Sequence, residues 1–302
     1  MTAVAVVAHR KKTIGGGLSE LRRLLSDRGV DRPVWHEVDK SRHAPASVRS
    51  VIEQDVDLLL LWGGDGTIQR SLDAVVASSG TAASRPVIGI IPAGTANLLA
   101  GNLGIPTHLE RAVDIAFDGQ RRPLDLGVVN GEHFAVMAGT GLDAMMMRDA
   151  DSGLKDRVGR LAYVWTGLRA ARTRPAKMSV QIGGATWFEG RAGCLLLGNM
   201  GCLTGGLVAF PDARYDDGQL EVGVVTAGTT TEWAKVMGRL LTGTAERSKL
   251  LHTARGRDIR VKIDREQAYE LDGGARGKAD KLNVHVVAGA VTVSVPRQPQ
   301  SE

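Results

Sequence analysis

The pentapeptide Gly63-Gly64-Asp65-Gly66-Thr67 combines residue types that phosphoryl chemistry uses. Glycines let an anion approach backbone N–H groups closely, and a carboxylate can hold a magnesium ion that bridges nucleotide phosphates. The apolar run 58–62 before it predicts a buried strand, and the apolar spacing of residues 68–76 after it predicts a helix. The segment therefore predicts a phosphate-binding turn. Asp65 or Thr67 could instead only cap the helix by accepting a first-turn N–H group.

A second strand, turn and helix follow in the same pattern. Residues 87–91 are apolar, Gly94-Thr95-Ala96-Asn97 forms the turn, and Leu98 opens the next helix. In an open α/β sheet, turns at the carboxyl ends of neighbouring strands line one ligand-binding crevice. Asp65 is the predicted magnesium ligand, directly or through water, and Asn97 could contact nucleotide or substrate or else cap the helix. The predicted phosphate cradle consists of Gly63, Gly64, Gly66, Thr67, Gly94 and Thr95.

Two acidic motifs lie further along the chain. Asp216-Asp217-Gly218, after Pro211-Asp212, has the oxygen-rich, turn-forming composition of a hard-cation loop, and an ordinary turn is the alternative. Asp272-Gly273-Gly274 offers a carboxylate, Asp272, of the kind that can accept a proton as a general base. Glu270 is a weaker candidate on the same strand face. The alternative for this second motif is a plain hairpin turn.

The four motifs, in this order, resemble those of the soluble lipid kinases of the bacterial diacylglycerol kinase and sphingosine kinase type. Residues 63–67 resemble the family's nucleotide motif, and residues 94–97 resemble its second loop. Residues 216–218 resemble a metal-associated motif, and Asp272-Gly273 resembles the start of the C-terminal catalytic motif. The matches cover most of the chain. The pentapeptide alone is less specific, because NAD kinases share it and the phosphofructokinase loop resembles it.

The resemblance implies an enzyme that uses ATP and Mg²⁺ to phosphorylate a lipid hydroxyl, with diacylglycerol as the leading acceptor. It implies catalytic roles for Asp65 and for Asp272, which would take the proton of the acceptor hydroxyl as general base. It also implies a structural magnesium or calcium ion, bound by a side-chain oxygen of Asp217 and by backbone carbonyls of Arg214 and Gln219. The implied fold is an α/β nucleotide-binding domain, with a parallel sheet of the NAD kinase and phosphofructokinase type, followed by a β-rich antiparallel sandwich that faces lipid.

Three positions depart from the family pattern. Leu98 stands where the family usually has Asp, and Gly274 stands where it has the Glu of Asp-Gly-Glu. Gly15-Gly16-Gly17 replaces an Asn-Pro loop, and it could still form an anion pocket beside the basic residues 10–12. Leu98 and Gly274 keep open a catalytically weak homologue that binds nucleotide or lipid, and the shared pentapeptide keeps open an NAD kinase.

The elements that must position these motifs fall into two regions. Strands at 4–8, 34–38, 58–62 and 87–91, alternating with helical patterns, predict an α/β domain over residues 1–122. From Pro123 to residue 302, short strands at close spacing predict the β-rich domain, interrupted by helices near 158–171 and 231–241. Its predicted strands are Leu124–Val129, His133–Ala138, Met178–Ile182, Ala192–Leu197, Leu220–Val225, Ile259–Ile263, Leu282–Val287 and Val291–Val295.

The composition is that of a folded globular protein, with 43% hydrophobic and 24% charged residues. No apolar stretch approaches the roughly 20 residues that span a bilayer. The apolar residues 1–8 lack the preceding basic segment of an export signal, so we expect a cytoplasmic protein. Cys194 and Cys202 have a spacing that fits neither a compact metal site nor a disulfide framework.

The net charge of +5 arises from basic and acidic residues that are interleaved along the chain. Because aromatic residues make up only 4%, few platforms for base stacking exist and no nucleic-acid partner is expected. Peripheral association with an anionic membrane surface is favoured instead, since each nearby basic residue contributes about 1 kcal/mol. One candidate patch, which could equally be a solvated face, comprises Arg169, Arg172, Arg174 and Lys177. The sequence leaves a homodimer open.

Overall fold

A computed structural model describes residues 3–78, 85–141, 175–203 and 207–297. The helix predicted near 158–171 lies outside the described residues, as do Arg169, Arg172 and Arg174. Contacts divide the chain into two compact units, one comprising Met1–Asp125 with Gly289–Glu302 and the other Leu126–Ala288. The predicted domain boundary at residues 122 and 123 stays a prediction; the units differ from it in placing the last part of the chain with the first unit.

The first unit is built on a parallel sheet. Four strands pair in the order β2-β1-β3-β4: β1 Val4–His9, β2 Val34–Val38, β3 Leu58–Gly63 and β4 Val87–Pro92. The last strand of the chain, β14 (Gly274–Val295), also reaches β4 in parallel, with Val293 opposite Ile88. Every residue of β1 and β3 is buried, which explains why their sequences are continuous apolar runs without polar alternation.

In the part of this unit that the structure describes, five α-helices accompany the sheet: α1 Gly17–Ser26, α2 Ala44–Ile52, α3 Asp65–Ala77, α4 Leu98–Asn102 and α5 Leu109–Asp118. A glycine in β4 allows α5 to pack closely on the sheet. A Cβ atom at Gly89 would lie 2.6 Å from Cδ2 of Leu60 and 2.7 Å from Cβ of Ala116. The two helices that matter for the site, α3 and α4, follow β3 and β4 directly.

The second unit is built from antiparallel strands. They are the end of β5 (Gln120–Val129), most of β14, and β6 Glu132–Phe134, β7 Met137–Thr140, β8 Ala176–Ile182, β9 Ala185–Ala192, β10 Cys194–Gly198, β11 Leu220–Val225, β12 Leu251–Gly256 and β13 Asp258–Leu271. The described residues of this unit also include helix α6 (Thr230–Leu241), which starts with a capping box in which Thr229 and Glu232 bond each other's backbone N–H groups.

Strand β13 pairs with different strands along its length. Its residues 259–263 pair with β8, whereas residues 269–271 pair with β7. Register shifts against β14 interrupt the strand between these two stretches. One run of strands is therefore β9-β8-β13-β14 and the other is β12-β11-β10-β7-β13. Apolar residues from both runs form one buried cluster, which is the core of a β-sandwich.

The predicted fold class is confirmed, with a parallel α/β unit and an antiparallel sandwich. Three predicted strands are wrong in detail. The single strand His133–Ala138 is split into β6 and β7, because the intervening backbone N–H groups bond to a side chain instead of a neighbouring strand. The strands Leu282–Val287 and Val291–Val295 are one continuous strand, β14. None of the helices in the described ranges is long and apolar enough to cross a membrane.

Candidate functional site

The two glycine turns of the first unit touch each other through their backbones. Strands β3 and β4 are neighbours, with Gly63 opposite Pro92, and the N–H of Ala93 donates to the Gly63 carbonyl at 2.9 Å. A Cβ atom at Gly94 would lie only 2.4 Å from the Cα of Gly64. Such a distance is far shorter than any contact between non-bonded carbon atoms. The two turns therefore approach this closely only because both positions are glycine.

The first turn, residues 63–67, is closed on one side and open on the other. Thr67 is buried, and its Oγ1 lies 2.9 Å from Oγ of Ser41. A Cβ atom at Gly63 would meet the Thr67 Cβ at 2.7 Å, whereas no atom lies within 4 Å of a Cβ built at Gly66. The cap position of α3 is Gly64, which has no side chain, so neither Asp65 nor Thr67 occupies it.

Asn97 closes the second turn on itself. Its φ of 48° lies in the left-handed region, which Asn adopts more readily than most residues. The side-chain Oδ1 accepts from the Gly94 N–H at 2.8 Å, and Nδ2 donates to the Gly94 carbonyl at 2.9 Å. The side chain does not cap α4, so the predicted capping alternative is wrong. Asn97 is buried while Thr95 is exposed, so the turn presents Thr95 to solvent.

Asp65 links the two turns. It begins α3, and its Oδ1 accepts a long hydrogen bond of 3.4 Å from the backbone N–H of Leu99 in the first turn of α4. Burial raises the pKa of the Asp65 carboxyl, and N–H groups of Leu99, Leu98 and Asn97 oppose that rise. The carboxylate therefore lies at the amino end of the helix that follows the other turn, where a negative charge is favoured.

In the third glycine loop, Gly15-Gly16-Gly17, a backbone N–H group already donates to a carboxylate of the protein itself. The N–H of Gly16 donates to the side chain of Glu20, which lies in the first turn of α1. A Cβ atom at Gly15 would also meet this carboxylate, at 2.7 Å. The backbone group that the sequence offers to an anion thus bonds an acid of the protein itself.

Asp272 belongs to the second unit and lies in a two-residue hairpin turn between β13 and β14. Asp272 and Gly273 have φ angles of 47° and 74°, the positive values of a type I′ turn. The Asp272 carboxylate accepts three backbone N–H groups: Ala135 at 2.7 Å, Val136 at 2.8 Å and Met137 at 3.0 Å. Its own N–H donates to the Met137 carbonyl at 2.8 Å.

These contacts tie the Asp272 turn to the segment between β6 and β7. Both carboxylate oxygens accept hydrogen bonds, and the residue is 7% exposed. The Asp272 motif is therefore a hairpin turn, as the alternative predicted, and the role of Asp272 as a base stays a prediction.

Glu270, the weaker candidate, is buried in β13 opposite Gly139. Burial, helped by the negative charge of Glu270, raises the pKa of the Cys194 thiol, which is thereby kept neutral.

The predicted cation loop forms an ordered turn. Oδ1 of Asp217 accepts from the N–H of Gln219 at 3.0 Å, and Asp216 pairs with Arg214 at 3.6 Å. Among the residues that the structure describes, no group of three or more His, Cys, Asp or Glu side chains could hold a metal ion. A cation here would depend on the predicted backbone carbonyls of Arg214 and Gln219, which are oxygen donors of the type that hard cations accept.

Several contacts of the site have no signal in the sequence. Ser41 contacts Thr67 across 26 residues, and Asp272 binds the segment 135–137 across more than a hundred. Every residue except proline has a backbone N–H group, so a motif search cannot find the N–H groups that donate to Asp65 and Asp272.

Two family models match the chain. The diacylglycerol kinase catalytic domain matches residues 7–129, and the YegS C-terminal NAD kinase beta sandwich-like domain matches residues 136–295. A protein of Pseudomonas aeruginosa named "Probable lipid kinase YegS-like" is 33% identical over 88% of this chain and 84% of its own length. The diacylglycerol kinase of Bacillus subtilis is 28% identical over 79% of this chain and 78% of its own length. The chain therefore belongs to the family of diacylglycerol kinases and YegS-like lipid kinases.

Solved structures share the fold. A diacylglycerol kinase structure from Bacillus anthracis superposes with a TM-score of 0.78 at 20% identity, covering 97% of this chain and 96% of that one. An NAD kinase from Archaeoglobus fulgidus, solved in complex with ATP, gives a TM-score of 0.51 at 11% identity over 97% and 93% of the two chains. The predicted fold likeness to NAD kinases is confirmed by this more distant match.

The contact between the glycine turns predicts the effect of Gly94→Ala. The added Cβ would collide with the backbone at Gly64, which cannot rotate away, so we expect a loss of about 1–3 kcal/mol in the free energy of unfolding. Gly66→Ala is the matched control in the same pair of turns, because nothing lies within 4 Å of its Cβ position. Urea unfolding of the two variants measures the difference. Equal stabilities would contradict the close contact.

The raised pKa of Asp65 predicts a pH-dependent stability gain in Asp65→Asn. When the pKa in the folded state lies above that of the unfolded state, the ionised carboxylate destabilises the fold at pH values above the folded pKa. Asparagine removes this cost and can still accept from Leu99. The thermal unfolding midpoint of the Asp65→Asn protein should exceed that of the wild type at neutral pH. The gain should shrink as pH falls and vanish below the unfolded pKa of about 4. A gain that grows at low pH would contradict this.

Proposed function

We propose that this protein transfers the γ-phosphoryl group of ATP to the hydroxyl of diacylglycerol, in a reaction that depends on magnesium. The observation that carries the proposal is the backbone contact between Gly64 and Gly94, at the carboxyl ends of two adjacent parallel strands. Ligands of open α/β sheets bind at this edge. Membership in a lipid kinase family supports the acceptor class, and the diacylglycerol kinase of Bacillus subtilis supports diacylglycerol as the member of that class.

Phosphoryl transfer requires little covalent chemistry from the protein, because the enzyme mainly positions the phosphate and neutralises its charge. In the proposed site, the glycines of both turns allow the triphosphate to approach backbone N–H groups. The amino end of α3, which starts at Asp65, supplies a favourable dipole. The hydroxyls of Thr67 and Thr95 are the proposed side-chain contacts, and Asn97 acts by holding the Gly94 backbone in place.

Magnesium would be held near Asp65. The carboxylate is a hard oxygen donor, and burial without a cation raises its pKa, so a nearby positive ion would favour its ionised form. When bound, the ion neutralises phosphate charge as it builds up during transfer. Oδ1 of Asp65 also accepts a hydrogen bond from the N–H of Leu99, so the same side chain connects the first turn to the helix that follows the second turn.

The proposed role of Asp272 is to accept the proton of the lipid hydroxyl. Three backbone N–H groups fix the carboxylate, which gives a base with a defined direction. General-base catalysis contributes about 10²- to 10⁴-fold. A second, structural cation at Asp217 and the carbonyls of Arg214 and Gln219 is part of the same proposal.

The acceptor is a membrane lipid, so the proposed enzyme acts from the cytoplasm at a membrane surface. The net charge of +5 supports attraction to anionic lipids. Lys177 is the described member of the predicted basic patch, and its side chain is 64% exposed although it pairs with Glu189 at 3.7 Å. An exposed ion pair of this kind is weak enough to be exchanged for a lipid phosphate.

Transfer of radiolabelled phosphate from ATP tests the proposal. The purified protein is incubated with labelled ATP and Mg²⁺, either with mixed vesicles that contain diacylglycerol or with NAD in the absence of lipid. Labelled phosphatidic acid would support the proposal. Labelled NADP without lipid would favour the NAD kinase alternative. Tight ATP binding without any labelled product would identify a homologue that only binds.

Two variants separate the proposed roles in this assay. Asp65→Asn should abolish transfer without unfolding the protein, because it keeps the side-chain shape and removes the charge partner of the metal. Asp272→Asn should lower kcat by about 10²- to 10⁴-fold, the range of a general base. Thermal unfolding of both variants is the control for folding. Wild-type transfer by Asp65→Asn would reject the assignment of Asp65.

A further inference from the structure

Gly274 occupies the third position of the motif that starts at Asp272, and its surroundings are filled by an arginine. A Cβ atom at Gly274 would lie 2.8 Å from Nη1 of Arg276. The same Nη1 donates to the Gly274 carbonyl at 3.1 Å. The guanidinium group thus lies where a side chain at position 274 would begin.

Arg276 is held in this place by an acid from another hairpin. Its Nε donates to Oε2 of Glu132 at 2.7 Å, and only 10% of the arginine side chain is exposed. A guanidinium group that is largely removed from water needs a carboxylate partner, since burying an isolated charge is costly. Glu132 meets this need from β6, with 45% of its own side chain exposed.

The strand that carries Glu132 is itself firmly anchored. Two residues later, Phe134 is fully buried, and its ring covers Gly127 so closely that a Cβ atom there would lie 2.1 Å from the ring. Glu132 pairs with Val129 in the β5–β6 hairpin. The carboxylate of Glu132 therefore projects from a fixed backbone.

The segment of residues 132–137 is hydrogen-bonded at two points to the turn that contains Asp272. Its residues 135–137 donate three N–H groups to the Asp272 carboxylate, and Glu132 accepts a hydrogen bond from Arg276, four residues after Asp272. Six consecutive residues, 132–137, thus hold five, 272–276. Two separate attachments restrict the orientation of a turn far more than one does.

We propose that the Glu132–Arg276 pair replaces the missing third acid of this motif. Arg276 fills the space at Gly274, and Glu132 supplies the carboxylate, so that the pair fixes the turn in which Asp272 acts. Both are positioning residues that act through the turn. The kinetic consequences of this inference rest on the proposed function, whereas the attachment of residues 272–276 to residues 132–137 depends only on the contacts above.

Kinetics of the full-length protein test the positioning role. Glu132→Gln and Arg276→Met should each lower kcat by about 10- to 100-fold, the range for misplaced catalytic groups, with KM for ATP nearly unchanged. The double variant should lose no more than the worse single variant, because both changes break the same contact. Asp264→Asn, which changes an acid of another exposed pair in the same unit, is the matched control and should keep wild-type kcat.

Reintroducing the family residue gives the sharpest outcome. Gly274→Glu should lower kcat, because its side chain displaces Arg276 and leaves Glu132 without its partner. Adding Arg276→Ala to Gly274→Glu should restore kcat above that of Gly274→Glu alone, since the new carboxylate then has room. A Gly274→Glu variant more active than wild type would overturn the inference, and so would a double variant that gains nothing.

Hydrogen exchange supplies a readout that does not depend on activity. Amides 135–137 should exchange faster in Glu132→Gln and Arg276→Met than in wild type or Asp264→Asn. Unchanged exchange in both variants would overturn the inference. A wild-type protein that phosphorylates no lipid would refute the proposed function, and exchange would still decide whether Glu132 and Arg276 fix the turn.

Discussion

The absence of side chains at Gly64 and Gly94 is the constraint on which the candidate site depends. Two parallel strands end side by side, and the turns that follow them come into backbone contact. That contact orients the amino end of α3 and lets Asp65 reach the first turn of α4. A side chain at either glycine would separate the turns, and the bonds that join them would be lost.

Carboxylates in this protein repeatedly serve to hold the backbone near candidate functional groups. Asp65 accepts from Leu99, and Asp272 accepts from three consecutive N–H groups. Charge-assisted hydrogen bonds to backbone are stronger than neutral ones, so such acids fix turns that have little other support. A motif acid can thus act in chemistry and in positioning at once. Glu20 on Gly16 and Asp217 on Gln219 follow the same pattern.

The parallel unit was predictable because its signals are local. The buried strands β1 and β3 are unbroken apolar runs, and the glycine turns follow β3 and β4 directly. Neighbouring turns follow from the topology of such sheets. The sandwich was predictable in class and less so in detail. Strands β9 and β12 were missed because they expose much of their length and read as polar segments.

The partners of the site residues could not be predicted from the sequence, because they are either backbone atoms or residues distant in the chain. The strand prediction over 133–138 failed for this reason, since Asp272 takes the N–H groups that a strand would use. Likewise, Gly274 alone looks like the loss of a motif acid. Only the fold brings Arg276 and Glu132 to that position.

A crystal structure of the protein with Mg²⁺ and a non-hydrolysable ATP analogue tests the central claim most directly. The account predicts density for the triphosphate against the backbone of residues 63–67 and 94–97, with the metal ion beside Asp65. A nucleotide bound elsewhere, with these two turns unaltered and empty, would contradict it.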